Sequence, residues 1–215
     1  MKLFQKNEPL SFLTHLVAAL LSVVALTLMI TFALRQGSAT QVVGSVIFGV
    51  SLILLYSTST LYHLFPKDTK VKNIFQRLDH AMIYALIAGT YTPICLIMPQ
   101  HGWGWSILGV IWAIAAVGIV FKSLGKKMTG WLSVVIYIVM GLLISVAISP
   151  LRQWLGLDAI KWLLLGGAFY IAGCIFFGLD KFVPRTKWFG MHEAFHLFVI
   201  AGSFCHFWLM IKFVL

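Results

Sequence analysis

Long apolar stretches separated by short polar segments dominate the hydrophobic pattern of the chain. A helix that crosses the hydrocarbon core of a membrane needs about 20 apolar residues, and seven stretches reach that length. They lie near residues 12–34, 41–65, 76–98, 103–122, 130–149, 160–179 and 190–212. The pattern therefore predicts an all-α fold, a polytopic bundle of seven transmembrane helices, in a single domain that spans residues 1–215.

The composition supports a membrane protein and excludes a soluble globular domain. Hydrophobic residues make up 60% of the chain and charged residues only 10%, against about 25% charged residues in soluble domains. Basic loops on one side of a membrane explain the formal net charge of +10, so we expect no nucleic-acid partner. Cys95, Cys174 and Cys205 are isolated in apolar stretches and are expected to be free. The first apolar stretch is too long for a signal peptide and is predicted to be the first membrane helix.

The distribution of Lys and Arg predicts the orientation of the bundle, because cytoplasmic loops collect basic residues. One set of alternate loops carries twelve of them, namely Lys2, Lys6, Lys67, Lys70, Lys72, Arg77, Lys122, Lys126, Lys127, Lys181, Arg185 and Lys187. The other set carries four, namely Arg35, Arg152, Lys161 and Lys212. We therefore expect a multi-pass plasma-membrane protein with a cytoplasmic N-terminus and a C-terminus outside.

Polar residues from three predicted helices fall at one depth near the cytoplasmic side. His63 ends the second helix, Asp79 opens the third, and His192 opens the seventh. His196 follows His192 by one helical turn on the same face, and Ser59 precedes His63 in the same way. Because ionisable side chains inside a membrane are energetically costly, they usually mark a functional site.

Three neutral imidazoles are a known ligand set for Zn²⁺, which leaves a fourth position for water. His63, His192 and His196 are the candidate ligands, and Asp79 is placed to hold that water and take its proton. A rival interpretation starts from Glu193, because residues 192–196 also match the His-Glu-x-x-His signature of zinc proteases, in which the Glu is the base. The three-histidine interpretation does not require Glu193.

The remaining histidines receive simpler interpretations. His15, at the cytoplasmic end of the first helix, is expected to hydrogen-bond near the site rather than join it. His206 lies in the outer half of the seventh helix and is predicted to be a core residue. His80 points away from Asp79 and is predicted to be structural, and His101 is expected to be solvated in an outer loop.

Four groups of polar residues together carry a family resemblance. In chain order they are Glu8-x-x-Ser-x-x-Thr14-His15, Ser59-x-x-x-His63, Asp79 and His192-x-x-x-His196. Over essentially the whole chain this combination resembles the progestin and adiponectin receptor (PAQR) family, and within it the bacterial hemolysin III branch. The resemblance implies a zinc ion bound by His63, His192 and His196, with Asp79 reaching the metal through water and Ser59 close beside it. It also implies metal-dependent hydrolysis, since related receptors are associated with ceramidase-type amide cleavage.

These observations leave several functions open. The first is a zinc-dependent hydrolase of lipid amide or ester bonds near the cytoplasmic leaflet, in which Asp79 and Ser59 are catalytic. The alternative is a membrane lipid sensor or receptor in which zinc only holds helices together. A proton or ion carrier is disfavoured because the polar groups cluster at one side, and a cytolytic function is disfavoured because no amphipathic pore-forming segment is visible. In the two favoured interpretations the partner is a membrane lipid.

Overall fold

The fold is all-α, as the hydrophobic pattern predicts. The computed structural model describes residues 8–125, 130–180, 182–184, 186 and 189–215. Within these ranges seven helices are long and apolar enough to cross a membrane. In chain order they are α1 (Pro9–Gln36), α2 (Ala39–Leu64), α3 (Lys70–Ile97), α4 (His101–Ser123), α5 (Trp131–Leu155), α6 (Leu157–Leu179) and α7 (Met191–Val214). The prediction of a seven-helix membrane protein is confirmed.

The outer surface of the bundle is apolar, as contact with lipid requires. Large side chains such as Leu20, Val117 and Leu165 are exposed on it. The three cysteines are free, as expected. The orientation was predicted from twelve basic residues on one side of the bundle. Seven of them lie outside the described residues, namely Lys2, Lys6, Lys126, Lys127, Lys181, Arg185 and Lys187. The cytoplasmic location of the N-terminus therefore stays a prediction.

Local sequence signals set where the first three helices begin and end. Gly37 ends α1 in a left-handed conformation with φ of 69°, which glycine adopts without steric cost. Ser38 and Thr69 cap α2 and α3, each accepting a hydrogen bond from a backbone N–H in the first turn. Because of the Thr69 cap, α3 begins at Lys70 rather than near residue 76, and its first turns are polar.

Helices α1, α2 and α3 pack closely because small residues line their contacts. A Cβ atom added at Gly44 of α2 would lie 2.6 Å from the Cα atom of Pro93 in α3. One added at Gly49 would lie 2.8 Å from the Cβ atom of Leu26 in α1. Small residues let helix backbones approach in membranes, and this packing fixes the end of α2 beside the start of α1.

A cavity of about 560 Å³ lies inside the bundle, lined mainly by α3, α5, α6 and α7 and also by residues of α1 and α2. Helix α5 changes to a 3₁₀ stretch over Leu143–Ala147, and the hydroxyl of Tyr91 accepts a hydrogen bond from the Ile144 N–H there at 3.0 Å. Gly141 of α5 and Gly167 of α6 both line the cavity. A Cβ atom at either glycine would meet no heavy atom within 4 Å, so both face open space.

Candidate metal centre

Three histidines from α2 and α7 meet at the end of the bundle where α1 begins. His63, His192 and His196 each offer a ring nitrogen, and these atoms all lie within 4.8 Å of one another. The Nε2 atoms of His63 and His192 are 3.4 Å apart. His63 and His196 are buried, and His192 is partly buried. The structure thus brings together the three residues that the sequence predicted as ligands.

The geometry and chemistry of these three residues fit a metal ion. Two nitrogens bound tetrahedrally to Zn²⁺ at about 2.0–2.1 Å would be separated by roughly 3.3–3.4 Å, which matches the 3.4 Å between His63 and His192. All three donors are imidazole nitrogens, which suit zinc and other borderline ions rather than Ca²⁺ or Mg²⁺.

Glu8 orients His63 from the start of α1. Its Oε2 atom lies 2.7 Å from the Nδ1 atom of His63, and Lys67 and Lys72 lie within 4 Å of the same carboxylate. The hydrogen bond with His63 is the main cause that lowers the pKa of Glu8 to about 2, so this carboxylate stays ionised at neutral pH. An ionised acceptor at Nδ1 places the imidazole proton there and leaves Nε2 free to bind a metal.

The first two turns of α1 also contact His196. The Thr14 hydroxyl lies 3.5 Å from Nδ1 of His196. His15 is buried and stacks on His196 with ring centroids 3.6 Å apart. Neither nitrogen of His15 has a hydrogen-bond partner among the described residues, so its contact with the site is a ring stack rather than the expected hydrogen bond.

Glu193 has a structural role that argues against its acting as a catalytic base. Its Oε1 atom accepts a hydrogen bond from the Ser11 hydroxyl at 2.7 Å, and its Oε2 atom accepts one from the Gly190 N–H at 2.8 Å. The Oε1 atom therefore ties the first turn of α7 to α1, and the Oε2 atom caps the start of α7 itself. This fixes the rotation of α7 that points His192 and His196 toward His63, and it disfavours the protease interpretation.

Asp79 and Ser59 lie beside the histidine cluster in the same cavity. Both residues line it together with His192 and His196, and Ser59 lies within hydrogen-bonding reach of the Asp79 carboxyl. Among the residues described, Asp79 is not a member of the close ligand group. An interaction between Asp79 and a bound metal would therefore pass through a bridging group.

Beyond these polar residues the cavity becomes apolar and extends toward the opposite side of the bundle. Its wall includes Ile83, Ile87, Ile138, Leu163 and Ile171. The arrangement therefore joins three histidines that could hold a metal ion to an apolar part of the cavity inside the bundle.

The family model described as Haemolysin-III related matches residues 4–207. The chain belongs to this family. The match covers all seven helices except the end of α7, and it includes every residue of the histidine cluster. The family resemblance carried by the four sequence motifs is thus confirmed.

Individual relatives agree with the family assignment. Hemolysin-3 of Bacillus cereus is 42% identical over 212 residues, which cover 99% of this chain and 94% of the relative. A Hemolysin-3 homolog of Bacillus subtilis is 41% identical over 92% of this chain and 90% of its own length. The adiponectin receptor protein of Drosophila melanogaster is more distant, with 22% identity over 82% of this chain and 44% of the receptor.

Removing the Glu8 carboxylate is expected to weaken zinc binding while leaving the three histidines in place. Loss of such a partner typically costs about 10- to 100-fold in metal affinity, so Glu8→Ala should fall in that range. Glu8→Gln keeps a hydrogen-bond acceptor for Nδ1 of His63 and should lose less zinc affinity than Glu8→Ala. Competition with a calibrated zinc chelator measures the effect.

The matched control is Asp68→Asn, which neutralises an exposed acidic residue near the same end of the bundle. Asp68 has φ of 67°, a conformation that asparagine tolerates. Equal zinc affinity in wild type, Glu8→Ala and Asp68→Asn would contradict the orienting role of Glu8.

Proposed function

We propose that the protein is a zinc-dependent membrane hydrolase that cleaves an amide or ester bond of a lipid. The observation that carries the proposal is the position of the three-histidine cluster at the polar end of a mostly apolar cavity that also contains a carboxylate. Three protein ligands with an open fourth position are typical of catalytic zinc, whereas structural zinc sites usually have four protein ligands.

The residues around the cluster are suited to distinct tasks. Zinc, when bound, would supply Lewis acidity and lower the pKa of water to about 7. Asp79 would accept a proton from the attacking water as general base. Ser59 would donate a hydrogen bond to the carbonyl oxygen as negative charge develops on it. Glu8 and Thr14 hold the ligating rings in orientation.

The cavity supports a lipid as the substrate. Its wall is mostly apolar, and Leu142 of α5 and Leu164 of α6 both line it and are about half-exposed. This supports an opening to the membrane between α5 and α6, through which an acyl chain would enter sideways. A scissile bond at the histidine cluster would then lie near the headgroup level of the leaflet that we predict to be cytoplasmic, in the plasma membrane.

An untargeted lipid assay tests the proposal. Zinc-loaded protein in vesicles of total bacterial lipid should convert at least one lipid into a free fatty acid and a second product. His63→Ala, which lacks one ligand, is the negative control and should show no conversion. If fully zinc-loaded wild-type protein releases no product above that control, the hydrolase proposal fails.

Filling the cavity should block turnover without affecting the metal. Gly167→Leu places a side chain into open space on the cavity wall and improves helix propensity by up to about 1 kcal/mol. We expect lipid turnover to fall at least about 10-fold while zinc affinity stays unchanged. The control is Gly178→Leu, at an exposed position of the same helix where a Cβ atom also meets nothing within 4 Å. Equal activity in both variants would show that lipid does not use this cavity.

One observation supports the alternative, a lipid sensor with a structural metal. The cluster and its supporting hydrogen bonds link α1, α2 and α7, so a bound ion would stabilise the packing of these helices. The two functions differ in what they require of Asp79, because only the hydrolase needs its carboxylate.

A further inference from the structure

A second polar cluster lies deep in the bundle, away from the metal centre. Tyr56 of α2, Tyr170 of α6, and Ser203 and His206 of α7 form it. The Ser203 hydroxyl lies 2.7 Å from the Tyr56 hydroxyl and 2.9 Å from the Tyr170 hydroxyl. The rings of Tyr170 and His206 stack with centroids 5.4 Å apart. Ten residues of helix separate His206 from His196, or about 15 Å along the axis.

Two members of this cluster border the same cavity as the metal centre. Tyr170 and His206 line it, as do the three apolar residues Leu163, Leu164 and Ala168 of α6. The cavity therefore has a polar metal-binding end, an apolar middle and a second polar region. No Asp, Glu, Lys or Arg belongs to the deep cluster, so it offers a suitable site for an uncharged polar group.

Two glycines create the space that the rings occupy. A Cβ atom at Gly166 would lie 2.8 Å from Nε2 of His206, and one at Gly202 would lie 2.7 Å from the ring of Tyr170. A larger residue at either position would displace the ring from its place. The helices are thus shaped around Tyr170 and His206, which supports a specific role for these two side chains.

The hydrogen-bonding capacity of the cluster is not used up within the described part of the protein. Tyr56 donates to the Val199 carbonyl at 3.4 Å, which lets Ser203 donate to Tyr56 and Tyr170 donate to Ser203. The Tyr170 oxygen can then still accept a hydrogen bond. Nδ1 of His206 is buried and has no hydrogen-bond partner among the described residues. Buried polar groups without partners are costly, so a ligand group that satisfies them would bind favourably.

We propose that Tyr170 and His206 form a subsite that binds a hydroxyl group carried within the chain of the lipid, at a fixed distance from the bond that lies at the histidine cluster. A hydroxyl is the fitting group because it can accept from one side chain and donate to the other at the same time. The apolar middle of the cavity holds the intervening chain. The subsite therefore selects lipids with a mid-chain hydroxyl over unsubstituted ones.

The subsite rests on the proposed function in one respect, the placement of the lipid carbonyl at the histidine cluster. Equilibrium binding of a free acid tests it without requiring turnover. The probes are octadecanoic acid and a series of monohydroxyoctadecanoic acids with the hydroxyl at successive positions, bound to zinc-loaded protein in detergent micelles. One isomer, or two adjacent ones, should bind about 5- to 10-fold more tightly than octadecanoic acid, the gain of one additional hydrogen bond.

The variants Tyr170→Phe and His206→Leu should each remove this preference while leaving the affinity for octadecanoic acid within about twofold of wild type. Tyr137→Phe is the matched control and should keep the preference. Tyr137 also lines the cavity, but its hydroxyl already donates to the His80 carbonyl at 3.0 Å. Tyr170→Phe removes one oxygen only, so a folding defect in His206→Leu would not prevent the test.

Two results would overturn the subsite. If every hydroxy isomer binds with the same affinity as octadecanoic acid, the deep cluster holds only water. A preference that survives in both Tyr170→Phe and His206→Leu would place the hydroxyl elsewhere. In either case the hydrolase proposal stands. If none of the acids binds, both the subsite and the lipid cavity fail together.

Discussion

Replacing His192 by alanine is expected to lower the affinity of the purified protein for zinc by at least about 100-fold. The loss of an outer partner of a ligand already costs up to about that much, and His192→Ala removes a ligand itself. The Nε2 atom of His192 lies 3.4 Å from that of His63, and no other described residue completes a three-ligand group. Chelator competition measures the affinity directly.

The same variant should also lose the stabilisation that zinc confers. A ligand at 100 times its dissociation constant stabilises a folded protein by about 2.7 kcal/mol, so wild-type protein should show a zinc-dependent rise in Tm. His101→Ala is the control, because His101 is exposed at the start of α4, away from the cluster. Wild-type zinc affinity in His192→Ala would show that His192 is not a ligand.

Replacing Asp79 by asparagine is expected to reduce lipid turnover by about 10²- to 10⁴-fold, the range for loss of a general base. Asparagine has nearly the same shape as aspartate, but it cannot accept a proton at neutral pH. Because Asp79 is not a member of the close ligand group, zinc affinity should remain within about 10-fold of wild type. Initial rates and zinc titrations on the same preparation separate the two effects.

The control for Asp79→Asn is Asp158→Asn, which removes an exposed carboxylate paired with Lys161 at 2.8 Å. Exposed pairs of this kind contribute little to stability, so turnover should not change. If Asp79→Asn keeps full turnover, Asp79 is not the base. If lipid turnover is absent from wild type but zinc raises its Tm, the structural-metal sensor is the better account.

The helices and the set of three candidate histidine ligands could be predicted from the sequence, because both follow from the pattern of apolar and polar residues along the chain. A membrane helix needs a long apolar stretch, and such stretches fix the helices without knowledge of their packing. The spacing of His192 and His196 places them on one face of a helix. Since His63 and His192 belong to the same predicted side of the membrane, they were expected at a similar depth, which allows them to meet where their helices are neighbours.

The support around the cluster could not be predicted because it depends on how α1 rotates against α2 and α7. Glu8, Ser11 and His15 follow a helical i, i+3, i+7 spacing, which is the signal that could have shown them to face one partner. That spacing does not say which residues they contact. Only the packed structure shows that Glu8 binds His63 and that Ser11 binds Glu193.

The cavity and its deep polar cluster also lie beyond sequence reasoning. His206 was predicted to be a core residue, and it is buried. Its contact with the cavity depends on the space left by Gly166 and on the ring of Tyr170 from another helix. Apolar lining residues have the same composition as any membrane helix, so the pattern of the chain does not distinguish a cavity wall from a packed interface.

X-ray absorption at the zinc edge of the purified, zinc-loaded protein tests the central claim most directly. We expect one zinc per chain with three imidazole nitrogens at about 2.0–2.1 Å and one further light-atom ligand. His63→Ala should lose this signature. A sulfur ligand at about 2.3 Å, or an unchanged spectrum at full zinc occupancy in His63→Ala, would contradict a site made of His63, His192 and His196.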